Sequence, residues 1–117
     1  MLALAGTGLL VLAARQTRPL AAEISEIGVE DVGKLVEVRG ALASVSQRDG
    51  NFFLKICSNA CITAVVFKGL AREMAENSLD LSLLEKGQGV AATGVVKEYG
   101  DGIEIVPFDR NAIELGG

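Results

Sequence analysis

The stretch Lys34–Ser46 alternates apolar and polar side chains with the two-residue period of a β-strand, and its phase shifts around Gly40. Val36, Val38, Leu42 and Val45 are the expected inward set. A strand this long in a small chain has to turn a corner, and a glycine at the change of phase predicts a bulge or sharp bend there. The whole chain has 117 residues, enough for one hydrophobic core and too few for two. Half of it is hydrophobic and 22% is charged, which excludes a disordered tail. Fourteen glycines against two prolines favour turns and bulges over long helices.

The remaining elements follow by the same period-two rule. Gln47–Gly50 predicts a turn, with Asp49-Gly50 as the hairpin signal. Asn51–Cys57 is the second strand, with Phe52, Leu54 and Ile56 on one face and Phe53, Lys55 and Cys57 on the other. Ser58–Ala60 turns the chain into a third, β-branched strand, Cys61–Phe67, whose terminal Phe67 is expected in the core. The period then changes. Lys68–Glu76 predicts a helix with Leu70, Met74 and Ala71 or Ala75 as its apolar stripe. Leu79–Leu84 is expected as a loop. Val90–Tyr99 is the fourth strand, Gly100–Gly102 a tight turn and Ile103–Pro107 the fifth strand. Ahead of these, Ser25 or Asp31 is expected to cap one brief helical turn before Gly33. Phe108–Leu115 is expected to form a further turn or short helix. The chain is therefore all-β in class, five strands with one helix between the third and fourth. Gly33–Gly40 and Gly87–Gly94 echo each other, each an alternating strand bounded by glycines and followed by an Asp-Gly turn.

Residues 1–14 form an apolar run closed by Arg15, Thr17, Arg18 and Pro19. As a helix it would span about 21 Å, short of the ~30 Å hydrocarbon core, and it lacks the basic n-region of a secretory signal. Three readings stand side by side: part of a membrane anchor, an atypical signal peptide with Leu20-Ala21-Ala22 near its cleavage site, or a buried helix. The division is thus an N-terminal segment, 1–21, ahead of a domain, 22–117. A membrane-associated location is expected. The two arginines following the run place the domain on the cytoplasmic side by the positive-inside rule, a vote that leaves the side of the membrane open.

Formal net charge is −4, which alone argues against a polyanionic partner. Residues 23–117 hold nine of the eleven basic residues and all fifteen acids, a net of −6. The acids lie toward the ends of the domain. Between 39 and 97, seven basic residues (Arg39, Arg48, Lys55, Lys68, Arg72, Lys86 and Lys97) outnumber the acids Asp49, Glu73, Glu76, Asp80 and Glu85, leaving room for a local basic face.

There is no histidine, so the commonest general base and metal ligand are missing. No nucleophile–base pair, phosphate loop or dinucleotide fingerprint is present, and two cysteines cannot by themselves hold structural zinc. No catalysis, cofactor or metal is therefore expected. Cys57 and Cys61 flank a three-residue turn. Opposite each other in a hairpin they suit a disulfide, implying an oxidising compartment or a thermophilic cytoplasm. The alternative is a pair of reduced thiols packing as small hydrophobes.

Val36-Glu-Val-Arg-Gly40, Phe52-Phe-Leu-Lys-Ile56, Ile62–Phe67 ahead of a helix, and Val90–Val96 with Lys97-Glu-Tyr99 carry a family likeness. Across roughly residues 24–108 the pattern resembles the OB-fold nucleic-acid-binding domains of the tRNA-anticodon and helicase type, seen also in replication-protein-A-like proteins. With its apolar N-terminal segment and Ile24-Ser-Glu-Ile27 lead-in, the chain is similar to small archaeal membrane-anchored OB proteins. The resemblance implies a five-stranded Greek-key barrel with a binding groove across its second and third strands, flanked by the loops Gln47–Asn51 and Gly100–Gly102. Carried onto this sequence, the groove residues are Arg39, Arg48, Phe53, Lys55, Thr63, Lys97 and Tyr99. Aromatic rings there would stack bases and cations would follow phosphates. Aromatics are only 4% of the chain, and one flanking loop carries Asp101 and no base, so such a groove would be weak and salt-sensitive.

The expected function is single-stranded DNA or RNA binding by a membrane-tethered module. The rival is an exported or anchored module binding a protein or a small ligand, favoured by the acidic domain and the cysteine pair. A haem-chaperone OB protein shares the layout, but its attachment chemistry uses a histidine that this chain lacks.

Overall fold

The computed structural model describes residues 19–116. Its strands are β1 (Leu20–Ala21), β2 (Leu35–Arg48), β3 (Asn51–Cys57), β4 (Cys61–Val66), β5 (Gly89–Tyr99), β6 (Gly102–Val106) and β7 (Ile113–Leu115), with one α-helix, α1 (Lys68–Glu76), between β4 and β5. Five of them close into a ring. β2 pairs antiparallel with both β3 and β5, β3 with β4 and β5 with β6, while β4 and β6 close the ring in parallel. The ring is the barrel anticipated above, but the sheet holds seven strands rather than five. β1 lies parallel to β2, and β7 lies antiparallel to β5 where a turn or short helix was expected. Burial of Ala112 and Ile113 draws that tail onto the barrel.

Alternation fills the interior. Val36, Val38 and Leu42, then Phe52, Leu54 and Ile56, then Ile62, Ala64 and Val66 are buried, joined by Val90, Ala92, Val96 and Ile105. Val45 is only half-buried. The core is extended by Ile24 from a 3₁₀ turn (Ile24–Glu26), by Ala71 and Met74 of α1, and by Leu81 from another 3₁₀ turn. Leu70 packs part-buried and Ala75 is exposed, so the helix stripe is Ala71 and Met74.

The corner in β2 is more specific than expected. Phase runs unbroken through Val38, Gly40 and Leu42, and the register slips between Leu42 and Ser44 instead. What Gly40 permits is close approach: a Cβ there would lie 2.4 Å from the Cys57 carbonyl oxygen. Gly94 plays the matching part in β5, where a Cβ would meet the Val106 carbonyl carbon and Pro107 nitrogen at 2.7 Å. Each strand leaves one partner for another near its glycine, which gives the glycine echo its physical meaning.

The β2–β3 hairpin turns on Asp49 and Gly50, both at positive φ (55° and 84°), as a type I′ turn requires. Helix α1 has no side-chain cap of its own at Phe67. Asn51 of β3 supplies one across the fold, its Oδ1 accepting from the Lys68 amide at 2.9 Å. In the lead-in, Ser25 makes no cap. Asp31 instead accepts from the Gly28 amide at 3.0 Å, reaching back over its own 3₁₀ turn (Val29–Asp31).

The expected membrane association is corrected. Among the described residues no helix is long and apolar enough to cross a membrane. Helix α1 has nine residues, about 13 Å at 1.5 Å per residue, and a charged outer side. The apolar run 1–14 and residues 15–18 lie outside the described residues.

Candidate functional site

Because β3 buries Phe52, Leu54 and Ile56, its alternate residues Phe53, Lys55 and Cys57 face outward, and the registers extend that face around the barrel. Lys55 stands between Ser44 of β2 and Thr63 of β4. Thr63 is level with Glu104 of β6, and Glu104 with Lys97 of β5. The result is a continuous transverse row, Ser44–Lys55–Thr63–Glu104–Lys97. Phe53 lies in the next row, between Ser46 and Val65. The Arg48 guanidinium sits over its ring, 5.5 Å from the centroid. Tyr99, two residues past Lys97 and opposite Gly102, is 68% exposed.

Six of the seven groove residues read from the sequence thus share one outer face: Arg48, Phe53, Lys55, Thr63, Lys97 and Tyr99. The structure separates Arg39 from them. Arg39 belongs to the half of β2 that pairs with β5, opposite Ala91, and its Nη2 lies 3.4 Å from Glu37. It borders a hollow of about 430 Å³ beside β1, walled also by Ile24, Val36 and the acids Glu23 and Glu37. The strand slip after Leu42 and the curvature of the ring put that half of β2 around the side of the barrel.

Two residues of this face escaped sequence reasoning. Phe67 was expected in the core, yet it is 51% exposed. Ile62, Ala64 and Val66 point inward, so Phe67 continues the outward phase of Thr63 and Val65. That phase was available in the sequence, and proximity to the helix obscured it. The second is Glu104. It is half-buried in the middle of the transverse row, and burial pushes its carboxyl above the ordinary value near 4.5. Nothing local distinguishes it from Glu98, which is exposed on the same hairpin; only the parallel β4–β6 pairing does so.

Among the described residues the ion pairs within 4.0 Å are Lys34–Asp31, Arg39–Glu37 and Arg110–Glu73. Arg48, Lys55, Lys97 and Glu104 therefore stand outside ion pairs. At the far end of β3, Cys57 pairs directly with Cys61, and their sulfurs are joined in a disulfide that closes the Ser58–Ala60 turn. This face combines aromatic rings, cations outside ion pairs and one half-buried carboxylate. It has no nucleophile–base arrangement.

No family model matches the chain, and no curated protein matches it. Solved structures do. An aspartyl-tRNA synthetase from Entamoeba histolytica superposes with a TM-score of 0.70 at 18% identity, covering 87% of this chain and 22% of that one. The asparaginyl-tRNA synthetase from Pyrococcus horikoshii gives 0.68 at 23% identity, covering 80% and 22%. OBody AM1L10, in a structure bound to hen egg-white lysozyme, gives 0.66 at 21% identity, covering 80% and 88%. This chain spans about a fifth of the length of the synthetases it matches. At these identities the likeness is one of fold: the barrel is an OB-fold.

Proposed function

We propose that this OB barrel binds single-stranded nucleic acid across the outer face of β3, β4 and β6, as a binding module without catalysis. The observation that carries the reading is the juxtaposition of exposed Phe67 and Arg48-covered Phe53 with the unpaired cations Lys55 and Lys97. Rings offer a π-face to any base, and the cations lie where a backbone crossing the strands would pass. Two of the structural neighbours are enzymes of tRNA, which supports nucleic acid as the partner class. The net charge of −4 confines binding to this local face. A second reading rests on the OBody neighbour bound to lysozyme: the same kind of barrel face can engage a protein.

Fluorescence anisotropy of the full chain against labelled single-stranded DNA and RNA, over a salt series, tests the proposal. With Arg48, Lys55 and Lys97 each neutralising one phosphate, log affinity is expected to fall against log salt with a slope of about −2. Absence of binding to both polymers at low salt overturns the proposal and leaves the protein-binding reading.

A further inference from the structure

The face described above contains a group that a simple phosphate-tracking groove does not explain. Glu104 lies inside the sheet, in register with Thr63 on one side and Lys97 on the other, with Lys55 one strand further. It is half-buried, and no cation among the described residues comes within 4.0 Å of it. A carboxylate so placed repels a phosphate backbone. It is also a partly desolvated, acceptor-only group, and its oxygens remain open to donors from outside the fold.

A single strand lying across this face would bring its phosphates to Lys55 and Lys97 and its bases between them, where Glu104 stands. The bases differ in what they offer a carboxylate. Guanine presents two adjacent donors on its Watson–Crick edge, N1–H and N2–H₂, matching the two carboxylate oxygens. Adenine and cytosine present one amino group beside an acceptor nitrogen. Thymine and uracil present a single N–H flanked by two carbonyls, which a carboxylate repels. Single-stranded recognition modules read unstacked bases on these same edges.

Resting on the proposed function, we infer that Glu104 is a specificity-determining residue that makes this face select guanine-containing single strands over thymine- or uracil-only ones. Lys97 and Thr63 position the strand around it. Partial burial in the sheet, which raises the carboxyl above its usual range, means that some of its water contacts are already lost before a base arrives.

The test is anisotropy with the full chain and its Glu104→Gln variant. The probes are an all-thymine DNA strand, a strand of equal length alternating thymine and guanine, and that strand with inosine replacing guanine. Inosine lacks the 2-amino donor. The wild-type chain is expected to bind the guanine strand about tenfold more tightly than the thymine strand, within the range of one bidentate contact. Inosine should fall between. Glu104→Gln should lose the preference while binding the thymine strand at least as well as wild type, because a negative charge has gone. Equal wild-type affinity for the thymine and guanine strands overturns the inference, as does a preference that survives in Glu104→Gln. Either result leaves nucleic-acid binding intact. Failure of the wild type to bind any strand at low salt overturns the proposed function itself, and this inference with it.

Discussion

The guanidinium of Arg48 lies over the ring of Phe53, its central carbon 5.5 Å from the ring centroid, across the β2–β3 hairpin. The pairing holds a cation at the edge of an aromatic platform, and Phe67 extends the same outward phase along β4. Stacking of one base on one ring is worth about 1–3 kcal/mol. Phe67→Ala is therefore expected to weaken single-strand binding at least about fivefold, near the lower end of that range. Its thermal unfolding should barely change, since the ring is already 51% exposed. Phe53→Ala should weaken binding similarly and also lower stability by about 1 kcal/mol, because it removes the seat of Arg48 and the cover of Val65. Unchanged binding in Phe67→Ala would remove that ring from the site.

The lysines have a separate signature. Lys55→Ala and Lys97→Ala should each reduce affinity for all sequences alike and flatten the salt dependence by about 0.7 in slope, the amount for one phosphate contact on a single strand. Arg39→Ala should alter neither quantity, because Arg39 is committed to Glu37 on another part of the barrel. Titrations of the three variants across a salt series decide this. An Arg39→Ala effect equal to that of Lys55→Ala would place the ligand path around the side of the barrel, along β2.

Much of this was legible in the residues. β3 and α1 begin and end where period and composition predict, because Asn51–Cys57 alternates without interruption and Lys68–Glu76 changes period sharply. β1 and β7 were not legible. Two and three residues carry no usable alternation, and both exist because a neighbouring strand offers an edge and Ile113 needs burial. Arg48, Phe53, Lys55 and Thr63 could be placed together because they lie on one hairpin and its next strand. Arg39 lies apart from them because a one-residue slip at Ala43 and the closing of the ring are properties of pairing, invisible in a single strand. Glu104 was missed for the same reason, since the parallel β4–β6 pairing that centres it joins distant parts of the chain.

The two corner glycines make a stability prediction. Gly40→Ala puts a Cβ 2.4 Å from the Cys57 carbonyl oxygen, and Gly94→Ala puts one 2.7 Å from the Val106 carbonyl carbon. Both neighbours are backbone atoms of paired strands and cannot swing aside. Each variant should lose about 1–3 kcal/mol, as overpacked sites do. Gly69→Ala is the contrasting case. It lies in α1 with nothing within 4 Å of the added methyl, so it should gain about 0.5–1 kcal/mol. Urea unfolding of the three variants measures all of this, and a neutral Gly40→Ala would show that the β2 corner has slack.

Glu104 also leaves a trace in the pH dependence of stability. Burial raises its folded-state pKa above the ordinary value near 4.5, so the native chain holds this proton to higher pH than the unfolded chain does. Its contribution is therefore least costly below 4.5, and stability is lost as pH rises from there through the folded value. Lys97 on β5 and Lys55 on β3 face the group without pairing to it, so they leave that penalty in place. Asp31 works in the opposite direction. Hydrogen bonds from the Gly28 amide and Lys34 lower its pKa below 3.8, so its stabilisation is present above that value and disappears as pH falls through the folded one. Glu104→Gln should accordingly be at least as stable as wild type at neutral pH, and the two unfolding curves should converge below the ordinary carboxylate range. The Asp31 limb is common to both proteins and cancels in the comparison. A Glu104→Gln chain that is less stable than wild type at neutral pH would mean that the carboxylate is held by a partner in the free protein and is not free to accept from a base.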